Sequence, residues 1–189
     1  FLAAPKENQP VCAVPGYNSN VPLYILGSSL FGAQLAGILG LPFAFASHFA
    51  PDALEQAISI YREEFQASEQ LDKPYVILGF NVCAANTEER ATFLKSSGLQ
   101  ALINLRSGKP GPLPPPIADF EKNLCGQEKQ LVSQSRSASS TGSAEKIRED
   151  VTSFLKLTEA DELIFTSQIF DHAARVESYA ITQQACLGL

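Results

Sequence analysis

Short apolar segments alternate with amphipathic segments along most of the chain, and this pattern predicts strands that are each followed by a helix. Apolar runs bounded by Gly, Pro or polar residues are typical of parallel strands buried on both faces. The predicted strands are Val21–Leu26, Phe43–Ser47, Pro74–Cys83 and Glu162–Ser167. The predicted helices are Ser28–Leu39, Pro51–Ala67, one that begins after Asn86, one that follows Ser143 as far as Leu157, and one from Asp171 to about Cys186. Strands that alternate with helices imply βαβ units and a parallel α/β sheet.

Two of the predicted helices have distinctive faces. In the second, Leu54, Ala57, Ile58 and Tyr61 recur at helical spacing, which predicts one buried stripe. The first helix carries no charge on any side, so we expect both its small-residue face and its large apolar face to be covered by protein. Asn86 with Glu89 three positions later, Ser143 and Asp171 are the predicted N-caps of the later helices.

Residues 103–142 interrupt this pattern before the last βα unit. The segment is rich in Pro from Lys109 to Pro116, and seven of the residues from Ser133 to Ser143 are Ser or Thr. A long segment that is poor in apolar residues is usually a functional lid or a disordered loop, so we predict a mobile lid insertion here.

The length of 189 residues fits one domain, and the charge narrows the choice of partners. Fourteen Lys and Arg against 20 Asp and Glu give a net charge of −6, and no basic run is present, so we expect no nucleic-acid partner. The uncharged stretch from Asn8 to Pro51 is cut by Gly, Ser, Gln and Pro into pieces too short to span a bilayer, so we expect no membrane segment either.

The four cysteines are far apart in the sequence and show no metal-ligand spacing, so we predict no metal site. Buried, reduced thiols in a cytoplasmic protein are the expected state of Cys12, Cys83, Cys125 and Cys186. The chain has no Met, and it begins at Phe1 without the basic start of a signal peptide, so we expect a fragment of a longer gene product.

The first strand exit, Gly27-Ser28-Ser29-Leu30-Phe31-Gly32, offers the most informative chemistry. A helix that begins on two serines directs free backbone N–H groups and hydroxyls at one spot, which suits a phosphate. The alternative is a serine that only caps the helix beside a small-residue packing face.

The histidines do not form a recognisable catalytic set. His48 follows the second strand and is a candidate ligand-binding or acid–base residue, with a structural hydrogen bond as the alternative. His172 follows Asp171 at a predicted helix start, where the capping interpretation is favoured. A nucleophile elbow needs a second glycine where this chain has Phe31, and no Rossmann or P-loop glycine motif is present.

Five segments together resemble the bacterial luciferase-like flavin monooxygenases over nearly the whole chain. They are Ile25–Ala36 followed by Gly40–Pro51, the strand and loop residues Gly79–Val82 and Gly108–Pro116, and Asp161–His172. This family often has Gly-Ser/Thr-Pro-Glu where the present chain has Gly142-Ser143-Ala144-Glu145. The resemblance implies a TIM (β/α)8 barrel, of which residues 1–189 would be the C-terminal half, with strands five to eight and an insertion before the last unit.

The resemblance also implies a function: an FMN-dependent monooxygenase that uses reduced FMN and O2 on a small organic substrate such as an aldehyde. Deazaflavin is the alternative cofactor, and a flavin reductase is an expected partner. By the same resemblance Gly27, Ser28, Ser29, Phe31 and Gly32 would hold the flavin phosphate, and His48 would lie near the barrel mouth without an assignable catalytic role. A non-enzymatic flavin-binding relative and an inactive truncated fragment are the alternatives. Because four βα units leave two unpaired sheet edges, we also expect a homo-oligomer.

Overall fold

The computed structural model describes residues 2–189 as one parallel sheet with helices packed against it. The five strands are β1 (Ile25–Gly27), β2 (Phe43–Phe45), β3 (Val76–Ala84), β4 (Ser139–Gly142) and β5 (Glu162–Thr166). The six α-helices are α1 (Leu30–Leu39), α2 (Leu54–Glu64), α3 (Glu88–Arg106), α4 (Gly126–Gln134), α5 (Ala144–Thr158) and α6 (His172–Cys186). Single 3₁₀ turns cover Pro51–Ala53 and Phe120–Asn123. The predicted parallel α/β fold is therefore confirmed.

The nine-residue strand β3 organises the sheet because it pairs with three other strands. Its first residues pair with β2 on one edge and with β5 on the other, and β1 extends the sheet beyond β2. Asn81 pairs both with Thr166 of β5 and with Ser139 of β4, so β4 lies on the same edge as β2, farther along β3. All pairings are parallel, which directs every strand exit to the same end of the sheet.

The main core forms where the predicted apolar stripes meet the sheet. Leu54, Ala57, Ile58 and Tyr61 of α2 are all buried, as their helical spacing predicts. They join strand residues such as Phe43 and helix residues such as Phe154 in one apolar cluster. Burial of this kind contributes about 1.5–3 kcal/mol for each large apolar side chain, and it fixes the strand exits in place.

The two faces of α1 differ, contrary to the sequence-based expectation. Its small face, Gly32, Ala33, Ala36 and Gly37, is buried, and the absence of larger side chains lets α1 approach its neighbours closely. Its large apolar residues are not covered: Phe31 is 72% exposed and Leu39 is 48% exposed. The prediction that both faces are covered is wrong for the described residues.

Several predicted boundaries also need correction. The first strand is shorter than Val21–Leu26, because Pro22 cannot donate a ladder hydrogen bond and the chain joins β2 only at Ile25. Thr87, not Asn86, caps α3, and its Oγ1 accepts from the Arg90 N–H at 3.2 Å. The caps predicted at Ser143 and Asp171 are confirmed, with donors Lys146 N–H and Ala174 N–H.

The insertion contains more regular structure than its composition indicates. Within residues 103–142 the chain completes α3, forms a 3₁₀ turn and α4, and then adds β4 to the sheet. The Ser-rich segment therefore includes a strand, and Ala138, Ser140 and Gly142 are buried. Pairing with β3 orders Ser139–Gly142 without large apolar side chains, and the mobile lid stays a prediction.

Candidate functional site

The β1–α1 turn brings together the residues singled out as a phosphate site. The Ala46 N–H donates to the Gly27 carbonyl oxygen at 2.9 Å, so the exits of β1 and β2 lie side by side. Ser28 and Ser29 are exposed at this turn, and Phe31 projects from the first turn of α1 into solvent. The turn is therefore open to a ligand at the carboxyl end of the sheet.

The start of α1 has polar groups that the described protein does not use. Ser29 is the N-cap residue, with extended backbone at φ −133° and ψ 159°, yet within residues 2–189 its side chain forms no capping hydrogen bond. The first turn of α1 has no acidic residue. A helix start with an unused hydroxyl and no carboxylate retains the positive end of its dipole for an anion.

Gly32 supports this turn in a way that the sequence did not indicate. It is buried, and a Cβ placed on it would lie 3.7 Å from the Gly27 Cα and 3.7 Å from the Phe43 ring. The glycine therefore lets the helix start approach β1 and β2. Gly32 therefore lies behind the turn, whereas Ser28 and Ser29 lie on its exposed side.

His48 leaves β2 at the neighbouring exit and lies against Gly79 of β3. A Cβ on Gly79 would overlap the imidazole, so only glycine leaves room for the ring. Ser47 fixes the same turn, because its buried Oγ donates to the Gly79 carbonyl oxygen at 2.5 Å. The sequence contains Gly79 as an isolated strand glycine, which is the signal of a close approach of another group.

The environment of His48 keeps the imidazole neutral. Burial lowers the pKa of His48 below its usual 6.5, since a charged ring would lose hydration without gaining a counter-ion. Its Nδ1 is buried, and no polar group among the described residues forms a hydrogen bond with it. The Nδ1 faces Gly79 and is closed to a ligand, so His48 can contact a ligand in the adjacent cavity only through another part of its ring.

The adjacent cavity has a volume of about 180 Å³ and reaches from the strand exits to the space beneath α3. Its lining combines apolar residues such as Leu99, Leu102 and Leu105 of α3 with polar or charged ones such as His48, Asn81, Gln168 and Lys95. A concave site that combines apolar walls with polar side chains is typical of sites for small organic ligands.

Sequence reasoning assigned no role to Asn81 or Gln168, although it predicted the helix α3 that covers them. The Thr166 hydroxyl donates to the Asn81 Oδ1, which fixes the amide between two strands. Gly98, in the middle of α3, contacts Gln168, and a Cβ there would lie 3.2 Å from the Gln168 Cβ. A glycine inside a helical pattern is the signal that could have shown this close packing.

The structure does not bring His172 to this site. His172 is exposed at the start of α6, and its Nδ1 lies 2.9 Å from the Arg175 Nη2. The Asp171 carboxylate caps α6, as predicted, by accepting a hydrogen bond from the Ala174 N–H at 2.8 Å. The capping interpretation of this pair is therefore confirmed.

All four cysteines are free thiols, but only part of the prediction for them is correct. Cys83 is buried, its thiol donates to the Ala91 carbonyl oxygen at 3.3 Å, and burial raises its pKa to about 12. Cys12 and Cys125 are exposed, so the expectation of burial is wrong for them. Across residues 2–189 no group of three or more His, Cys, Asp or Glu side chains could hold a metal ion. None of the helices described is long and apolar enough to cross a membrane.

Comparison with known proteins identifies the family. The profile of the luciferase-like monooxygenase family matches residues 2–175, and the chain belongs to this family. The chain is 47% identical over 181 residues to the luciferase-like monooxygenase of Escherichia coli K12, covering 96% of this chain and 54% of that protein. It is 41% identical to the uncharacterized protein YvbT of Bacillus subtilis strain 168, covering 90% of this chain and 51% of the relative. The chain thus spans about half the length of the curated relatives that it matches.

Solved structures agree with the fold. Apo-MsnO8 superposes with a TM-score of 0.81 at 27% identity over 94% of this chain and 54% of the other. The coenzyme F420 dependent tetrahydromethanopterin reductase of Methanopyrus kandleri gives a TM-score of 0.56 at 15% identity over 92% of this chain and 52% of its own. The riboflavin lyase RcaE, solved with modified FMN and riboflavin, gives 0.51 at 15% identity over 85% of this chain and 41% of its own. At 15% identity, the similarity to the last two structures shows a shared fold alone.

Proposed function

We propose that this chain forms the flavin-phosphate end and part of the substrate cavity of an FMN-dependent monooxygenase. The enzyme would use reduced FMN and O2 to oxidise a small organic substrate such as an aldehyde. Family membership supports an oxidoreductase, and the likeness in fold to proteins that work with FMN or coenzyme F420 supports a flavin-type cofactor. The observation that carries the proposal is the uncapped, carboxylate-free start of α1 beside the exit of β2.

The residues of the β1–α1 turn fit a phosphate. Ser28 and Ser29 supply exposed hydroxyls, and the first turn of α1 supplies backbone N–H groups and the positive end of the helix dipole. Gly27 and Gly32 hold the helix start against the sheet, and Phe31 provides an exposed ring beside it. We therefore assign these five residues to binding of the flavin phosphate.

The remaining residues of the site would act on the substrate. Reduced FMN, when bound, would activate O2, so that one oxygen atom enters the substrate and the other is reduced to water with two electrons from the flavin. Asn81 and Gln168 offer amide groups that can orient a substrate at the strand exits, and the leucines of α3 exclude water from the apolar part of the cavity. The His48 ring lines the same cavity with its pKa lowered by burial, and we propose it as an orienting residue.

The strand order supports an assignment within a (β/α)8 barrel. We propose that β1, β2, β3 and β5 are strands five to eight of such a barrel and that residues 103–142 are the insertion before the last unit. Leu26 of β1 is 75% exposed and Ile164 of β5 is 50% exposed, as expected for a sheet face that needs a partner. We also propose that the protein forms homo-oligomers, which light scattering of the purified chain would detect.

Flavin binding and turnover test the proposal separately. Purified protein is titrated with FMN, riboflavin and a deazaflavin, and flavin fluorescence reports binding. Preference for FMN over riboflavin supports the phosphate site, while equal binding or no binding overturns it. Oxygen consumption with reduced FMN, driven by NADH and a flavin reductase, is then measured on addition of decanal. Binding without any aldehyde-dependent consumption indicates a flavin-binding protein without this activity.

A further inference from the structure

The cavity beneath α3 carries positive charge although the chain has a net charge of −6. Lys95 and Arg106 line it together with His48, and among the described lining residues none is Asp or Glu. A cavity with cationic walls inside an acidic protein concentrates small anions and repels cations. The sign of the charge therefore limits the class of ligand that this cavity accepts.

Lys95 has no counter-ion in the part of the chain that the structure describes, because no carboxylate lies within 4.0 Å of its Nζ. The nearest carboxylates have other partners. Glu121 pairs with Arg136 at 2.5 Å, and Asp150 pairs with Lys146 at 2.7 Å and accepts from the Ser140 hydroxyl at 2.7 Å. Burial lowers the pKa of Lys95, and the charges of Glu121 and Asp150 oppose this shift only in part. An anion in the cavity would supply the remaining compensation.

The volume and lining residues of the cavity indicate the size and polarity of the uncharged part of the ligand. A volume of about 180 Å³ is slightly larger than the ~150 Å³ cavity that accepts benzene in another protein. Leu99, Leu102 and Leu105 supply apolar contacts, while the buried Thr141 Oγ1 lacks a hydrogen-bond partner within residues 2–189. A ring or chain of roughly six to eight carbon atoms with one polar end fits these walls.

We propose that this cavity binds a small apolar monoanion, an aromatic or short aliphatic carboxylate, with Lys95 as its counter-ion. That this anion is the substrate rests on the function proposed above, whereas the proposal that it binds in the cavity does not. Lys95 and the α3 leucines line the same cavity, so one ligand can place its carboxylate at Lys95 and its apolar body against Leu99 and Leu102. Lys95 would then determine specificity for oxidisable molecules that carry a carboxylate over neutral ones.

The test compares benzoate with benzyl alcohol, which has similar size and no charge. Both are titrated by isothermal calorimetry into the wild-type protein and into Lys95→Met, Lys95→Arg and Lys129→Met. Lys129 is an exposed lysine of α4 outside the cavity, so it provides the matched control. We expect the wild type to bind benzoate roughly 10-fold or more tightly than benzyl alcohol, since a hydrogen bond to a charged group has about this effect.

Lys95→Met should remove this preference and leave benzyl alcohol binding unchanged, which also shows that the cavity has folded. Lys95→Arg should retain benzoate binding within a few-fold, and Lys129→Met should match the wild type. Equal benzoate affinity in wild type and Lys95→Met, or no benzoate binding to the wild type, overturns the proposal. A parallel FMN titration separates the two hypotheses: FMN binding without benzoate binding leaves the flavin function standing, and Lys95-dependent benzoate binding without FMN binding leaves only the anion site.

Discussion

Two kinds of helix start occur in this molecule. At α3, α5 and α6 the cap residue uses its side chain: Thr87, Ser143 and Asp171 each accept a hydrogen bond from a backbone N–H three positions later. At α1 the cap residue is also a serine, yet Ser29 makes no such bond within the described chain. The first turns of α3 and α5 contain glutamates, and the first turn of α1 has no acidic residue.

The two kinds of helix start have different effects: a capped start stabilises its helix, whereas the start of α1 leaves polar groups free for a ligand. The same residue type stabilises a helix when its hydroxyl turns back to the backbone, and it leaves an anion site when the hydroxyl is unused. Ser143 and Ser29 therefore differ in geometry, which a sequence pattern does not show. Substitutions at the start of α1 should therefore change flavin binding, and substitutions at the capped starts should change stability.

The largest expected effect comes from Ser29→Asp. A carboxylate at this N-cap should stabilise α1 and raise the melting temperature slightly. The same charge repels the flavin phosphate, so FMN affinity should fall by about 100-fold or more. Thermal unfolding and FMN titration measure the two effects on one sample. Ser143→Asp is the matched control and should leave FMN affinity unchanged. An equal loss of FMN affinity in both variants would mean that the two helix starts do not differ in anion binding.

Ser29→Ala should have the next largest effect. It removes one hydroxyl donor to a charged group, which corresponds to about 1.5–3 kcal/mol or roughly 10- to 150-fold in FMN affinity. Riboflavin binding should be spared, and the melting temperature should hardly change because the hydroxyl makes no capping bond. Ser167→Ala, at another strand exit, is the control. Equal loss of FMN and riboflavin would mean that the serine does not contact the phosphate.

The substitution Asp171→Ala tests a helix start whose cap residue accepts a backbone hydrogen bond with its side chain. The variant loses the 2.8 Å hydrogen bond from the Ala174 N–H, so the free energy of unfolding should fall by about 1–2 kcal/mol. FMN affinity should not change, because α6 starts away from the β1–α1 turn. Chemical denaturation measures the stability, and a changed FMN affinity in folded protein would contradict the separation of the two classes.

The smallest expected effect is a pH dependence of folding stability that comes from His48, near the exit of β2. Because burial lowers the pKa of His48, the unfolded chain binds more protons than the folded chain below pH 6.5. Stability should therefore fall as the pH drops from 6.5 toward the lowered pKa, and it should be independent of this residue above that window. His48→Gln should flatten the curve over that interval in denaturant titrations. An unchanged slope would show that His48 is protonated equally in both states.

The repeating strands and helices could be predicted because their apolar spacing is local. The cap at Asp171 and the buried stripe of α2 follow from a few neighbouring residues. The strand β4 could not be predicted, since Ser139–Gly142 becomes a strand only by pairing with distant β3. The helix α3 contains the isolated Gly98 and Lys95, whose positions over the strand exits depend on tertiary packing. The assignment of the β1–α1 residues to a phosphate comes from the motif and stays a prediction, and the burial of Gly32 behind the turn is seen only in the structure.

The triple pairing of β3 has a consequence for how the chain folds. Asn81 and Thr166 are 85 positions apart, and the pairing of β3 with β5 must wait until that long loop has closed. The β3–β4 pairing also depends on segments that are synthesised after β3. We expect β3 to order late and its amide hydrogens to exchange among the slowest in the protein, because releasing them requires several ladders to open together.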